Sequence, residues 1–145
     1  MASTTSRGWP LPDGSSVPDV PYWVGALGQA IDDDLADSGW VNISIASGKA
    51  GQAGAPPQVR KIGDQVFARW GWDPTGIAAN TETVVGTVPA GYRPARTTYV
   101  NLVGSTGNQY AMAVITPAGV VSVRAPSAGL DYYLFAGELN GWFVN

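Results

Sequence analysis

The sequence predicts a mainly β protein: a short N-terminal helix followed by one domain of antiparallel strands, arranged as a β-sandwich or jelly roll. Three observations predict it. From Trp40 onwards apolar and polar residues alternate, with turn residues roughly every 8 to 12 positions. The 145 residues include 19 glycines and 11 prolines, which suits many short strands joined by turns. Helical spacing of apolar residues is confined to one stretch before Trp40.

Residues 1–21 have the composition of an extended arm. Pro10, Pro12, Pro18 and Pro21 fall among glycines and serines. Each proline lacks a backbone donor and biases the preceding residue towards extended geometry. Because the arm has no core-forming pattern, we expect it to be held mainly by partner proteins.

Residues 22–38 have the pattern of one helix of about four turns, and Gly39 suits a left-handed cap at its end. Its apolar residues follow spacings of three, four and four, which is the seam of a coiled coil: Val24, Leu27, Ile31 and Leu35. Gly25 and Gly28 weaken the helix. It must therefore pack either on its own β domain or on copies of itself.

Residues 39–145 have the pattern of a β head domain. The expected strands are 41–45, 59–62, 65–72, 83–88, 97–103, 111–116, 120–124, 132–135 and 142–144. Gly63-Asp64 and Pro117-Ala118-Gly119 read as hairpin turns. Trp70 shares strand parity with Val66 and Ala68 and is expected in the core, whereas Trp40 is expected where helix and head meet.

The composition argues against several functions. There is no cysteine and no histidine, so disulfides, cysteine zinc sites and histidine acid–base chemistry are absent. The net charge is −3, and the densest basic group is only Arg60, Lys61 and Arg69, so no nucleic-acid partner is expected. Residues 1–10 contain no signal-peptide core, and the longest apolar run, 111–115, falls far short of the ~20 residues that span a bilayer. We expect no membrane insertion.

One acidic cluster invites a metal hypothesis. It consists of Asp32, Asp33, Asp34 and Asp37. Carboxylates suit calcium or magnesium, but the glycine-bearing twelve-residue calcium loop is absent. We expect a solvated, outward helix face instead, with no metal and no cofactor.

Aromatic residues beside polar ones suggest ligand binding. Four residues at expected strand ends are the candidates: Trp72, Asp73, Tyr110 and Tyr132. Flat rings stack on the apolar faces of sugars, and polar neighbours bond their hydroxyls. Packing at a protomer interface is the alternative. Glycoside cleavage needs two convergent carboxylates, and the head offers only scattered ones: Asp64, Asp73, Glu82, Asp131 and Glu138. No catalytic residue is expected.

Several segments taken together carry a family resemblance. They are Gly8-Trp9-Pro10, Pro12-Asp13-Gly14, Gly25-Ala26-Leu27-Gly28, Ser38-Gly39-Trp40, 59–66, 85–94 and 115–121. With this order the chain resembles the small tail-fibre and receptor-binding proteins of tailed bacteriophages that infect actinobacteria. The resemblance covers nearly the whole chain.

The resemblance implies a homotrimer with a helix bundle and a head that binds a host-surface glycan or wall polymer. It implies that the arm joins other tail or capsid proteins, and that the protein belongs to the virion after synthesis in the host cytoplasm, where cysteine-free parts suit the reducing conditions. Only about 38 residues precede the head, so a capsid decoration fibre is one alternative. A glycan-cleaving tail enzyme is another.

Overall fold

The computed structural model describes residues 3–4, 10–11, 20–73, 76–104, 110–126 and 134–144. The fold is mainly antiparallel β with one N-terminal helix, so the predicted fold class is confirmed. The elements are β1 (Ser3–Thr4), β2 (Pro10–Leu11), α1 (Val20–Asp34), β3 (Val41–Asn42), β4 (Ser44–Ile45), β5 (Gln58–Ile62), β6 (Gln65–Trp72), β7 (Glu82–Thr87), β8 (Thr98–Gly104), β9 (Tyr110–Ile115), β10 (Val120–Arg124) and β11 (Leu134–Phe143).

The head strands form one antiparallel β-sheet that folds back on itself. Its order is β3-β5-β6-β11-β8-β9-β10-β7-β4. The outermost strands, β3 and β4, are neighbours in sequence, with only the buried Ile43 between them. The segment 41–45 thus pairs with β5 at one side of the sheet and with β7 at the other. This brings the two sides of the sheet together, so that they enclose the core as in a sandwich.

The core lies between the two halves of this sheet. In β6 the even-numbered residues Val66, Ala68, Trp70 and Trp72 are all buried. The rings of Trp70 and Trp142 lie with centroids 6.2 Å apart, and the Trp142 indole N–H donates to the Tyr92 carbonyl at 2.7 Å. The predicted core position of Trp70 is confirmed.

Both predicted hairpins are present. β5 and β6 pair around Gly63, whose φ of +56° places it in the left-handed region. β9 and β10 pair around the turn that ends in Gly119, with a φ of +86°. Glycine adopts these conformations without strain. The last two predicted strands, 132–135 and 142–144, are wrong as separate elements, since β11 is one strand with a register shift between Ala136 and Asn140.

The helix is shorter at its C-terminal end than the predicted segment 22–38. α1 ends at Asp34 because the backbone beyond it joins the sheet: Asp37 bridges to Ile62, and the Ser38 N–H donates to the Lys61 carbonyl at 2.9 Å. Gly39 is left-handed as expected, with a φ of +66°. It follows this added pairing rather than capping the helix.

Charged and aromatic side chains hold the junction between helix and head. Arg60 donates to Asp37 through Nε at 2.7 Å and also through Nη2. This guanidinium and the Gly39 N–H lower the pKa of the Asp37 carboxyl. The Arg69 guanidinium stacks over the Trp40 ring, with its Cζ 4.2 Å from the ring centroid. The Arg60 guanidinium that binds Asp37 also lies over the Trp40 ring, with its Cζ 6.0 Å from the ring centroid, so Trp40 lies at the predicted junction.

The apolar stripe of α1 is largely exposed at its two ends. Val24 and Leu35 are 64% and 61% exposed, and Leu27 and Ile31 are half-buried. The main contact of α1 among the described elements is with β2, which in turn pairs with β1. No helix in the described part of the chain is long and apolar enough to cross a membrane.

Candidate functional site

The head has two ends with different surroundings. The helix end contains the Gly63-Asp64 turn, against which α1 finishes, and the turn that follows β9. At the opposite end, which we name the distal end, β6 finishes at Trp72 and β9 begins at Tyr110. The register places these residues at one level, since Trp72 and Gly104 both pair with Leu134, and Tyr110 pairs with Val103.

A shallow groove of about 340 Å³ lies at the distal end. We name it the distal groove. The residues that line it include Asn80, Asn101, Tyr110, Met112 and Arg124. Three of these residues form one row across neighbouring strands, because Met112 pairs with Asn101 on one side and with Arg124 on the other. The sheet register therefore fixes the spacing of the groove floor.

Asn80 closes one side of the distal groove from the connection before β7. The Asn80 N–H donates to the Ala125 carbonyl at 3.1 Å, and Ala79 bridges to Ala125. Asn80 has a φ of +56°, the one positive φ among the described non-glycine residues. Asparagine tolerates this region better than most residues. The backbone thus holds an amide side chain against the groove.

The groove combines an accessible ring with hydrogen-bonding groups. The Tyr110 side chain is 63% exposed. Asn80 and Asn101 can both donate and accept hydrogen bonds, and Arg124 offers five N–H donors. Within the described residues Arg124 forms no ion pair, while the opposing Glu82 accepts from the Ser122 hydroxyl. A flat ring beside amides and a guanidinium suits the faces and hydroxyls of a sugar.

The four candidate ligand residues have different outcomes. Tyr110 lines the distal groove. Asp73 follows Trp72 at the same end, is half-buried, and its N–H donates to the Ala50 carbonyl at 3.0 Å. Tyr132 lies outside the described residues. The ligand role of these three residues stays a prediction.

The expectation that the Trp72 ring is accessible is wrong. Its side chain is fully buried, and the ring stacks with Trp70 at a centroid distance of 6.5 Å. A Cβ on Gly86 would lie 2.8 Å from the edge of the Trp72 ring, which shows how closely β7 covers it. The physical reason is parity, because Trp72 continues the inward row that contains Trp70. No ring face is left for a ligand.

Replacement of Trp72 is therefore expected to affect stability. Trp72→Phe removes ring volume from the core, partly offset because the buried indole N–H has no partner among the described residues. We expect a net loss of about 1–2 kcal/mol in the free energy of unfolding. Chemical denaturation measures it, with the exposed Tyr110→Phe as the control expected to change little. Equal stability of Trp72→Phe and the unmodified protein would contradict the burial.

Sequence reasoning missed Asn80, Asn101 and Arg124 as groove residues. Strand parity alone predicts that Asn101 faces outward, because Val100 and Leu102 face the core. Its position beside Tyr110 depends on the pairing of β8 with β9, which no local signal in the sequence specifies.

The acidic residues near the end of α1 do not form a ligand set. Asp33 accepts from the Gln29 amide at 2.9 Å, and Asp37 is paired with Arg60. Among the described residues no group of three acidic side chains is arranged to hold a metal ion.

Comparison with known proteins relates this fold to phage proteins. No family model and no curated protein sequence matches the chain. The receptor-binding protein gp15 of Listeria phage PSA superposes with a TM-score of 0.62 at 11% identity, covering 91% of this chain and 82% of that one. The receptor-binding head domain of lactococcal phage bIL170 superposes with a TM-score of 0.51 at 17% identity, covering 70% of this chain and 97% of that one.

The chain has the fold of these phage receptor-binding proteins. At 11% and 17% identity the likeness is one of fold, and it extends through most of the chain. The structural likeness thus agrees with the fold that the sequence resemblance implies. An actinobacterial host stays an expectation from the sequence resemblance.

Proposed function

We propose that the chain is a receptor-binding protein in the tail of a phage that infects actinobacteria, and that its distal groove binds a host-surface glycan or wall polymer. The position of the groove carries the proposal. The groove combines an exposed tyrosine with amide and guanidinium groups at the end of the head farthest from the helix. The fold shared with two phage receptor-binding proteins supports it.

The layout suits a protein that is anchored at one end and binds at the other. The arm and α1 precede the head and lead into the helix end through the pairing of Asp37 with Ile62. A particle attached through the arm would therefore present the distal groove outward. The same geometry makes the arm the part of the chain that contacts other tail proteins.

The exposed stripe of α1 supports assembly into a homotrimer. Val24 and Leu35 remain largely exposed in the single chain, although apolar residues at coiled-coil spacing are normally buried against partner helices. Three parallel helices would bury the stripe and place three heads side by side. Three linked sites would then give strong adhesion even if each site binds weakly.

The proposal is tested by locating the protein on the virion and by measuring its chemistry. Immunogold labelling should mark the tail tip, and labelling of the capsid surface would favour a decoration fibre. Incubation with host wall polymer should release no new reducing ends. Release of reducing ends would indicate a glycan-cleaving enzyme.

Deletion of residues 1–21 tests the role of the arm. We expect the truncated chain to remain folded and trimeric but to be missing from assembled particles, because residues 1–21 have no core-forming pattern in the sequence. Thermal unfolding, light scattering and blotting of purified virions measure the three properties. Normal incorporation of the truncated chain would show that attachment uses another surface.

A further inference from the structure

Asn80 combines a left-handed backbone with a place in the lining of the distal groove. At the other described positions with a positive φ the chain has glycine: Gly39, Gly48, Gly63, Gly76, Gly91 and Gly119. Glycine adopts this conformation without steric cost, whereas a residue with a Cβ is strained there. Residues in strained conformations are concentrated at ligand-binding and active sites. Asn80 is therefore a candidate for a role that glycine could not fill.

The turn that contains Asn80 is held by its backbone and by neighbouring residues. The Asn80 N–H donates to the Ala125 carbonyl, and Ala79 bridges to Ala125. The Thr81 hydroxyl donates to the Ala79 carbonyl at 3.3 Å, and the Ile77 side chain is buried in the core. Because none of these contacts uses the Asn80 side chain, each would remain if residue 80 were glycine.

The Asn80 amide forms no hydrogen bond with the described part of the chain. Asparagine is favoured in turns because its side-chain oxygen can accept from the backbone N–H two residues further on. At this turn that donor would be the Glu82 N–H, and the bond is not formed. The side chain is exposed, so its oxygen and its NH₂ group are both available to a ligand in the groove.

Asn80 and Asn101 lie on opposite sides of the distal groove. Asn101, Met112 and Arg124 follow one another on adjacent strands, and the segment of Asn80 is hydrogen-bonded to the side of β10 that faces away from β9. Because hydrogen-bonded strands lie about 4.8 Å apart, the backbones of Asn80 and Asn101 are about 14 Å apart across the groove. Tyr110 belongs to β9, between them. A sugar stacked on the Tyr110 ring therefore has an amide on each side.

We infer that the Asn80 amide determines the sugar specificity of the distal groove by binding a hydroxyl group of the sugar that stacks on Tyr110. The inference rests on the proposed glycan-binding function. A primary amide can donate to a hydroxyl oxygen through its NH₂ group and accept from a hydroxyl through its oxygen. Such a contact selects a free hydroxyl over a substituted or missing one, because the altered sugar leaves the amide without its partner. The strained backbone of Asn80 holds the amide at the groove.

Two substitutions of Asn80 in the full chain remove the same amide but differ in backbone strain. Asn80→Gly suits the left-handed turn, whereas Asn80→Ala keeps a Cβ there, so thermal unfolding should give the glycine variant the higher melting temperature. Titration calorimetry with short soluble fragments of the host wall polysaccharide measures the affinity of a single site. Both variants should bind about three- to tenfold more weakly than the unmodified protein. Gly91→Asn, the reverse exchange at a left-handed turn outside the distal groove, is the control and should bind normally.

The affinity of Asn80→Gly separates a ligand contact from a requirement of the turn. If asparagine only suits the turn, Asn80→Gly binds the fragments normally, which would overturn the inference and leave the glycan-binding function intact. Partial methylation of the fragment hydroxyls should weaken binding to the unmodified protein more than binding to Asn80→Gly. Equal weakening in both proteins would mean that the amide contacts no hydroxyl. An unmodified protein that binds neither the fragments nor the intact polysaccharide would instead contradict the proposed function itself.

Discussion

Ile31→Asp is expected to convert the trimer into monomers. Ile31 is the third member of the apolar stripe and lies between the largely exposed Val24 and Leu35. In a three-helix seam the substitution would bury three carboxylates close together, at a cost of several kcal/mol per charge unless the helices separate. The head should stay folded, because the described part of its core contains no residue of α1. Light scattering measures the mass.

Gln29→Glu is the matched control for this substitution. It adds the same charge on the opposite face of α1, where Gln29 is exposed. We expect a small loss of helix stability from the neighbouring Asp33, four residues away, and an unchanged trimer mass. A monomeric unmodified protein, or an Ile31→Asp variant that remains trimeric, would contradict the coiled-coil account of the stripe.

Tyr110→Ala is expected to abolish adsorption of the purified protein to host cells. Loss of a stacking ring is expected to reduce affinity by about tenfold at each site, which is about 1.4 kcal/mol. The substitution is present three times in a trimer, so avidity should fall by up to about a thousandfold. Thermal stability should change little, since Tyr110 is 63% exposed. Binding of labelled protein to cells gives the measurement.

Tyr99→Ala provides the control, because Tyr99 is also an exposed tyrosine, at 64%, and is not part of the distal groove. It should adsorb normally. The mass of the Tyr110→Ala variant separates ligand binding from packing at a protomer interface. A trimeric, stable variant with normal adsorption would refute the ligand role. A fall in mass would mean that Tyr110 joins protomers.

Local sequence patterns correctly predicted the features that depend only on residues close together in the chain. The hairpin at Gly63 and the core position of Trp70 follow from turn chemistry and from period-two alternation. The same alternation, continued by two residues, places Trp72 in the core. The interpretation of Trp72 as an exposed strand end therefore failed although the signal was present.

Other features depend on contacts between distant segments. α1 stops at Asp34 because Asp37 and Ser38 join the edge of β5, a pairing that helical periodicity cannot reveal. The distal groove depends in the same way on strand register, which brings Asn101 and Arg124 to either side of Met112. Tyr110 was predictable as an exposed ring, but its neighbours were not.

Competition for the host receptor tests the central claim most directly. Purified trimer is added to host cells before the phage that encodes it, and the rate of phage adsorption is measured. The account predicts that the unmodified protein slows adsorption in a concentration-dependent way and that Tyr110→Ala protein at the same concentration does not. Adsorption at the normal rate on cells saturated with the unmodified protein would contradict a receptor-binding function.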